Sequence, residues 1–563
     1  MTVRVACLLA FLGVLLTATA QAEPPVFTPP LKLPKSKPEG SLAGGEPSVA
    51  YDPSGDGHVY ADAPGGPSGV SFWASRDGGD TWPIAKAIGS QAGGGDTDVE
   101  VGADHTVYVP DLEVAANAIC RSHDFGVTFT DGCDEGQGTA TDQTGPESDR
   151  PWMAHDPRDP KVVYFVYHDL AGGTLLAERS DDGGSTWGPC GNMLQPGSDA
   201  QLTFSPSGGT GLGKPAIAAD GTIYVPFILP SSRNTLNPYD RFYMAVARGG
   251  CNATTQWQDV TIHSDPGADL SHFWPNAAVD AGGTVYAATA GKATAADQGY
   301  GMYLWVSRDG AKTWSKAIRV NTPDLLTNVL PALTGGTAPG RVGLGWYGTP
   351  TSADATNAAD HWRYYAAESY DFGAHFVQIP LSGPDVHVGA ICTLGILCTG
   401  GRQLLDFTTA ATEPVSGCPA YVYGADSAGA GSAPAPYFVR QIGGTCLDAE
   451  RPAAPAGLPT TTAVPQSPTL APSLGLPASR TCLSRRVFRI HLRAPAGQRL
   501  RRATVVVAGR RVRVTARRGR LVATVDLRRL RRGSFVASVS AITRSGRRVS
   551  ERRRYHTCAP RRG

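Results

Sequence analysis

The sequence predicts an all-β chain: a β-propeller of seven blades, then a linker, then a small β-sandwich domain. Three observations predict it. An eight-residue phrase, S-x-D-x-G-x-T-W, occurs five times with drift; a second phrase, built around proline in five of its seven copies, marks seven starts; and charge is divided unequally along the chain.

The elements follow in order. Residues 1–22, MTVRVACLLAFLGVLLTATAQA, place Arg4 ahead of an apolar run from Val5 to Leu16 and end on the small residues Ala20 and Ala22. This is the layout of a secretory signal peptide. The run is shorter than the roughly 18 apolar residues a spanning helix needs, and no later run reaches that length, so a secreted chain without a membrane span is expected.

Residues 23–449 carry the repeats. The starts read EPSVAYD from Glu46, DTDVEVG from Asp96, RPWMAHD from Arg150, KPAIAAD from Lys214, WPNAAVD from Trp274, LPALTGG from Leu330 and RQLLDFT from Arg402. Each is followed by a Gly or Asp turn and a β-branched, aromatic-rich run such as TVYVPDL, TIYVPFI or TVYAATA, which reads as a strand. A repeat of this period, in which one unit is a small antiparallel sheet, builds a propeller. The start at Arg402 lacks both landmarks, so six blades is the alternative to seven.

The five short phrases are SRDGGDTW at Ser75, SHDFGVTF at Ser122, SDDGGSTW at Ser180, SRDGAKTW at Ser307 and SYDFGAHF at Ser369. Their grammar is that of a turn. A short carboxylate accepts hydrogen bonds from nearby amides, glycine supplies positive φ, and the last aromatic pins the bend to the layer below. Asp77, Asp124, Asp182, Asp309 and Asp371 are therefore expected to hold turns and not to react.

The phrase resembles the Asp box, or BNR repeat, of the sialidase superfamily, over most of residues 40–449. The resemblance implies a propeller that acts on carbohydrate, with an exo-glycosidase of the sialidase type as the leading activity. In that family the boxes lie at the periphery, three arginines clamp a sugar carboxylate, a Tyr–Glu pair supplies the nucleophile and an Asp the acid/base. The family's early Phe/Tyr-Arg-Ile-Pro tetrapeptide is absent; Phe488 to Ile490 gives Phe-Arg-Ile in the basic tail without the proline.

If blade starts line the axis, Glu46, Asp96, Arg150, Lys214, Trp274, Leu330 and Arg402 face one another there. Arginines pair with acid groups in two-pronged fashion and an indole offers a flat face to a sugar. Glu46, Asp96, Arg150, Lys214, Trp274 and Arg402 are thus the substrate-binding candidates. The plain structural alternative is a channel of satisfied charge pairs, Glu46 with Lys214 for instance. Glycoside hydrolysis needs two carboxyl groups, and Asp98, Asp149 and Asp406 are the catalytic candidates. Tyr364 or Tyr365 with Glu368 offers a nucleophile and base by residue type. His155, His168, His272 and His387 are scattered titratable groups outside any triad or metal pattern. No metal site or cofactor is expected.

Ten cysteines remain after the leader. In an exported chain an even set reads as disulfides, with sequence neighbours as the natural pairs: Cys120 with Cys133, Cys392 with Cys398, Cys418 with Cys446, Cys482 with Cys558, and Cys190 with Cys251.

Residues 450–479, rich in Pro, Ala and Thr, cannot bury a core and read as an extended linker. From Arg480 to the end there are 26 arginines, no lysine and two acids, a net +24 that leaves −22 for the rest of a chain totalling +2. Residues 480–563 alternate Arg with Val, Ala and Thr, as strands of a small sandwich would. Such a domain should attract an anionic surface polymer; no nucleic-acid-reading motif is present. Two readings compete with a hydrolase: a non-catalytic glycan- or protein-binding adhesion propeller, and a polysaccharide lyase using His or Tyr on the same scaffold.

Overall fold

The computed structural model describes residues 22–463, apart from 37–43, 67–68, 90–93, 114–116, 130–147, 170–171, 205–210, 233–237, 384, 395–397, 427–433 and 449–459, and beyond them six segments between 487 and 556. Residues 1–21, Cys133, Cys482 and Cys558 lie outside the described residues. The chain divides into two compact units, Met1–Val464 and Pro465–Gly563.

The first unit is a seven-bladed β-propeller. Its innermost strands are Ser48–Tyr51, Glu100–Val101, Ser148–His155, Ala216–Ile217, Asn276–Val279, Thr327–Gly335 and Thr409–Thr412. Each packs beside the next, and the last packs beside the first, so the sheets close a ring. Within a blade the strands pair antiparallel in chain order from the axis outward, as in Ser48–Tyr51, Val59–Ala63, Val70–Ser75 and Ile84–Ile88. Middle strands are covered on both faces by neighbouring blades, which is why runs such as Val285–Gly291 are buried throughout and do not alternate. Seven blades replace the six-blade alternative: the weak start leads to Thr409–Thr412, Pro419–Ala425 and Ala435–Gly443.

The seventh blade takes its outer edge from the other end of the unit. Val26–Phe27 pairs with Gly443 and Gln441, and Leu31–Lys32 with Phe438 and Tyr437. The stretch expected as a linker contributes Thr460–Ala463, which lies parallel to His375–Pro380.

The five Asp phrases form one hydrogen-bonded turn between third and outer strands. In the first, Ser75 Oγ donates to Asp77 Oδ1 at 2.9 Å, Gly79 N–H donates to Ser75 Oγ at 2.9 Å, and Thr81 N–H and hydroxyl donate to the two oxygens of Asp77 at 2.8 Å each. Asp124, Asp182 and Asp309 repeat the pattern, and in the fifth copy His375 takes the place of threonine beside Asp371. Two successive left-handed residues make the bend. Gly78 and Gly79 hold φ of 68° and 89°, but Phe125 and Phe372 adopt the same conformation at 62° and 63°, which strains a residue bearing a Cβ.

Cys190–Cys251, Cys392–Cys398 and Cys418–Cys446 are bonded, and Cys120 is in a disulfide. In the second unit Val487–His491, Arg520–Asp526 and Val514–Arg517 form one sheet; Arg510–Val512, Leu500–Val507, Ser534–Thr543 and Arg548–His556 form another. No helix among the described residues is long and apolar enough to cross a membrane.

Candidate functional site

Five of the seven blade starts enter the ring through a left-handed non-glycine residue. Glu46, Arg150 and Leu330, each before a proline, have φ of 49°, 57° and 55°, and strand register slips across Arg150–Pro151 and Leu330–Pro331. The bulge re-aims a side chain that regular pleating would point into a neighbouring blade. In the fifth and seventh blades the left-handed residues are Phe273 and Leu405. The seventh start is thus framed three residues past Arg402, which makes Asp406 its ring residue.

Four of these side chains meet on one arginine. Arg150 Nη1 lies 2.8 Å from Asp96 and 3.2 Å from Glu46, its Nη2 contacts Asp406, and its guanidinium stacks 4.3 Å from the Trp274 ring. Arg402 reaches Asp406 at 2.9 Å, and the Asp406 N–H donates to Glu46 at 2.9 Å. Arg150 is 5% exposed, Glu46 and Asp406 1% each. Three carboxylates face two guanidiniums, so the group holds a proton most easily on its acids. Burial, with Asp96 next, pushes the Glu46 carboxyl well above the usual range, and burial pushes Asp96 up to about 6 despite Arg150.

Below this layer Lys214 contacts Asp98, whose other oxygen accepts from the Met153 N–H at 3.1 Å. The channel's expected ion pairs therefore exist with different partners: Glu46 with Arg150, and Lys214 with Asp98. Toward the far end of the axis a cavity of about 390 Å³ is lined by small residues of the inner strands, with His155 held 2.5 Å from Glu100.

The remaining candidates are dispersed. Asp149 is half-buried at the ring, paired in register with His168. Tyr364 donates to or accepts from Thr408 at 2.9 Å, whereas Glu368 holds Tyr370 at 2.5 Å, so the Tyr–Glu pair expected on that strand is not formed. His387 is buried between Asp426 at 2.9 Å and the Ala390 carbonyl at 3.1 Å. The Asp phrases lie at the end of the blade opposite the ring residues, because first and third strands run in the same direction and the phrase follows the third.

An open pocket of about 490 Å³ occupies the ring face between the loop leading into the fifth blade and the segment before the seventh. Asp269, Ser271, His272, Lys292 and Thr393 line it. The His272 ring stacks on Tyr300 at 3.8 Å, and its Nδ1 is 3.2 Å from the Asn328 carbonyl, which fixes the proton there and leaves Nε2 as the basic atom. Burial holds the His272 protonation down at about 4, so the ring is neutral at pH 7. The Tyr300 hydroxyl lies 3.3 Å from Asp269, and burial pushes it up to about 12. Lys292 lies 4.7 Å above the Tyr300 ring and makes no ion pair among the described residues. Sequence reasoning found His272 but missed Lys292, Tyr300 and Asp269. The available signal was the long polar loop SDPGADLSHFWP ahead of the fifth start.

Fold and site together define a seven-bladed propeller with an ion-locked axis and one open, polar pocket beside it. No family model matches the chain, and no curated protein matches it. Among solved structures the chain is similar to a protein of unknown function from Dyadobacter fermentans, at 14% identity over 74% of this chain and 98% of that one, with a TM-score of 0.39. It is also similar to a polysaccharide lyase of the PL25 ulvan lyase family, at 10% identity over 73% and 95%, TM-score 0.45. A third likeness is to the BP39L lectin from Burkholderia pseudomallei, at 10% over 68% and 94%, TM-score 0.43. The propeller assignment rests on the seven sheets themselves.

Proposed function

We propose that this is an exported carbohydrate-recognition propeller that binds an acidic sugar in the pocket beside its locked ring. The observation that carries the reading is the state of the two arginine-bearing and lysine-bearing sites. Arg150 is buried with both Nη atoms committed to three carboxylates, so neither is left to clamp a sugar acid, while Lys292 lines open space. Two carboxyl groups flanking a scissile bond need a gap between them; here the Arg150 guanidinium fills it. This favours recognition over sialidase-type hydrolysis, although Asp-box resemblance supports the sialidase superfamily as the scaffold's kin. The disulfides support export.

One observation favours a second reading, elimination. A neutral His272, an adjacent Tyr300 and the Lys292 cation are the parts needed to cleave a uronate chain. His272 Nε2 would take the proton beside the carboxylate, the C4–O bond would break to leave a C4=C5 double bond, and Tyr300 would protonate the departing oxygen.

The test is binding of neutral and uronate- or sialate-bearing oligosaccharides to the whole exported chain, with aryl-glycoside hydrolysis and the ultraviolet absorbance of unsaturated uronates read in parallel. Acidic glycans should bind, and Lys292→Ala should weaken them by about tenfold or more. Glycoside release that Asp98→Asn or Asp149→Asn abolishes would instead restore hydrolysis. The Arg-rich second unit we assign to an anionic surface polymer; its retention on a polyanion column should fall steeply with salt.

A further inference from the structure

We propose a divalent-cation site on the face opposite the ring, joining the first and second blades through Asp52, Asp56 and His105. The donor atoms of these three side chains all lie within 4.8 Å of one another. His105 Nδ1 is 2.9 and 3.1 Å from the two oxygens of Asp52, and His58 Nδ1 is 2.6 Å from Asp56.

Comparison among blades shows why this turn differs. Asp52, Asp156 and Asp280 occupy the same place, each donating its N–H to the carbonyl that closes the turn between first and second strands. In the third blade Asp156 is covered by two Arg158 contacts at 2.8 and 2.6 Å and by the Tyr164 hydroxyl at 3.0 Å. In the fifth, Asp280 accepts from Gly282, Thr284 and Gly340 amides and from the Tyr286 hydroxyl at 2.8 Å. In the first blade no arginine among the described residues pairs with the carboxylate, whose partners there are Ser54 and His105. Tyr60 stands where Tyr164 and Tyr286 stand, second in its strand and fully buried, yet its hydroxyl has no hydrogen-bond partner among the described residues. A wholly buried carboxylate and an orphaned hydroxyl beside it are costly unless a further group serves both. A metal ion with a bound water does so: the ion takes the carboxylates, and its water reaches Tyr60.

The donor set selects the ion. One imidazole and two carboxylates with an open position suit a first-row divalent cation such as Zn²⁺; Ca²⁺ prefers oxygen alone. Asp56 and His105 are 38% and 40% exposed, so their side chains can turn to bring donor atoms that lie within 4.8 Å of one another to the roughly 3.3 Å spacing of two tetrahedral ligands on one ion. The turn's sequence, D-P-S-G-D-G-H from Asp52, supplies two carboxylates four residues apart in a tight loop.

Untagged, EDTA-washed full-length exported chain is dialysed against micromolar Zn²⁺, and bound metal and melting temperature are read, with Ca²⁺ as a parallel arm. One Zn²⁺ per chain and a raised melting temperature are expected. His105→Gln and, separately, the exposed Asp56→Asn should weaken binding by more than about tenfold while melting like the wild type in EDTA. No uptake by the wild type, uptake by either variant equal to that of the wild type, or a response to Ca²⁺ alone overturns the proposal.

Discussion

Replacing Arg150 by methionine tests the locked ring most directly. The side chain is 5% exposed and faces Glu46, Asp96 and Asp406. Methionine keeps most of the volume, so the loss is electrostatic. Removing one partner of a buried ion cluster costs about 3–5 kcal/mol, because the remaining charges stay buried without compensation. With an unfolding entropy of about 2.1 cal/mol/K per residue, a unit of roughly 440 residues loses about 0.9 kcal/mol for each degree, so its melting temperature should fall by about 3–6 °C at pH 7.5. The sign with pH follows from the raised acids. A carboxyl whose folded protonation point is about 6 binds its proton more tightly than the unfolded chain does, so it favours folding below about pH 4 and that gain is lost as pH rises to about 6. In the variant, acid should therefore recover stability by neutralising Asp96 and Glu46. Scanning calorimetry from pH 4.5 to 8 reads both effects. A drop below 1 °C at pH 7.5, or a deficit that does not shrink toward pH 5, refutes the reasoning.

Further outcomes follow from the same structure. Asp182→Ala removes hydrogen bonds from the Thr186 amide and hydroxyl and should destabilise by about 1 kcal/mol, as loss of a helix cap does, without changing glycan binding. Those bonds hold the Asp182 carboxyl down at about 2, so the stabilisation is complete above about pH 4 and disappears as pH falls from there toward 2, which acid titration of the wild type and variant should show. Replacing both Cys190 and Cys251, which span 61 residues and staple the third blade to the fourth, should cost up to about 4 kcal/mol by the loop-entropy relation, read by urea unfolding. Deleting residues 22–36 strips the outer edge from Ala435–Gly443 and uncovers Phe438; the truncated chain should aggregate or melt well below the parent in light-scattering-monitored heating.

What the sequence made legible is what is local. The Asp phrase declares its turn because every hydrogen bond in it closes within eight residues, and most blade starts declare themselves through proline, which follows a left-handed residue at Glu46, Arg150 and Leu330. The seventh blade was harder, since RQLLDFT carries neither mark and its ring residue sits at Asp406. Ion-pair partners were not legible at all: Glu46 and Arg150 are 104 residues apart, and which acid meets which base depends on bulges that no residue pattern reports. The Tyr364–Glu368 pairing failed for a related reason, as Tyr370 in the following turn competes for the same carboxylate. The open pocket draws Asp269, Lys292 and Tyr300 from separate loops and strand ends, where composition carries little information about proximity.

The seam of the ring is where the first and last parts of the unit share a sheet, with the Glu23 N–H on Thr445 across 422 positions. During synthesis the leading strands emerge with no mate and must wait until almost the whole unit has been made. Six blades can stack beforehand, but the circle shuts only at the finish, so assembly is slow by topology. Joining the two ends by a short peptide and opening the chain in another blade's turn would move that waiting edge without altering the finished ring.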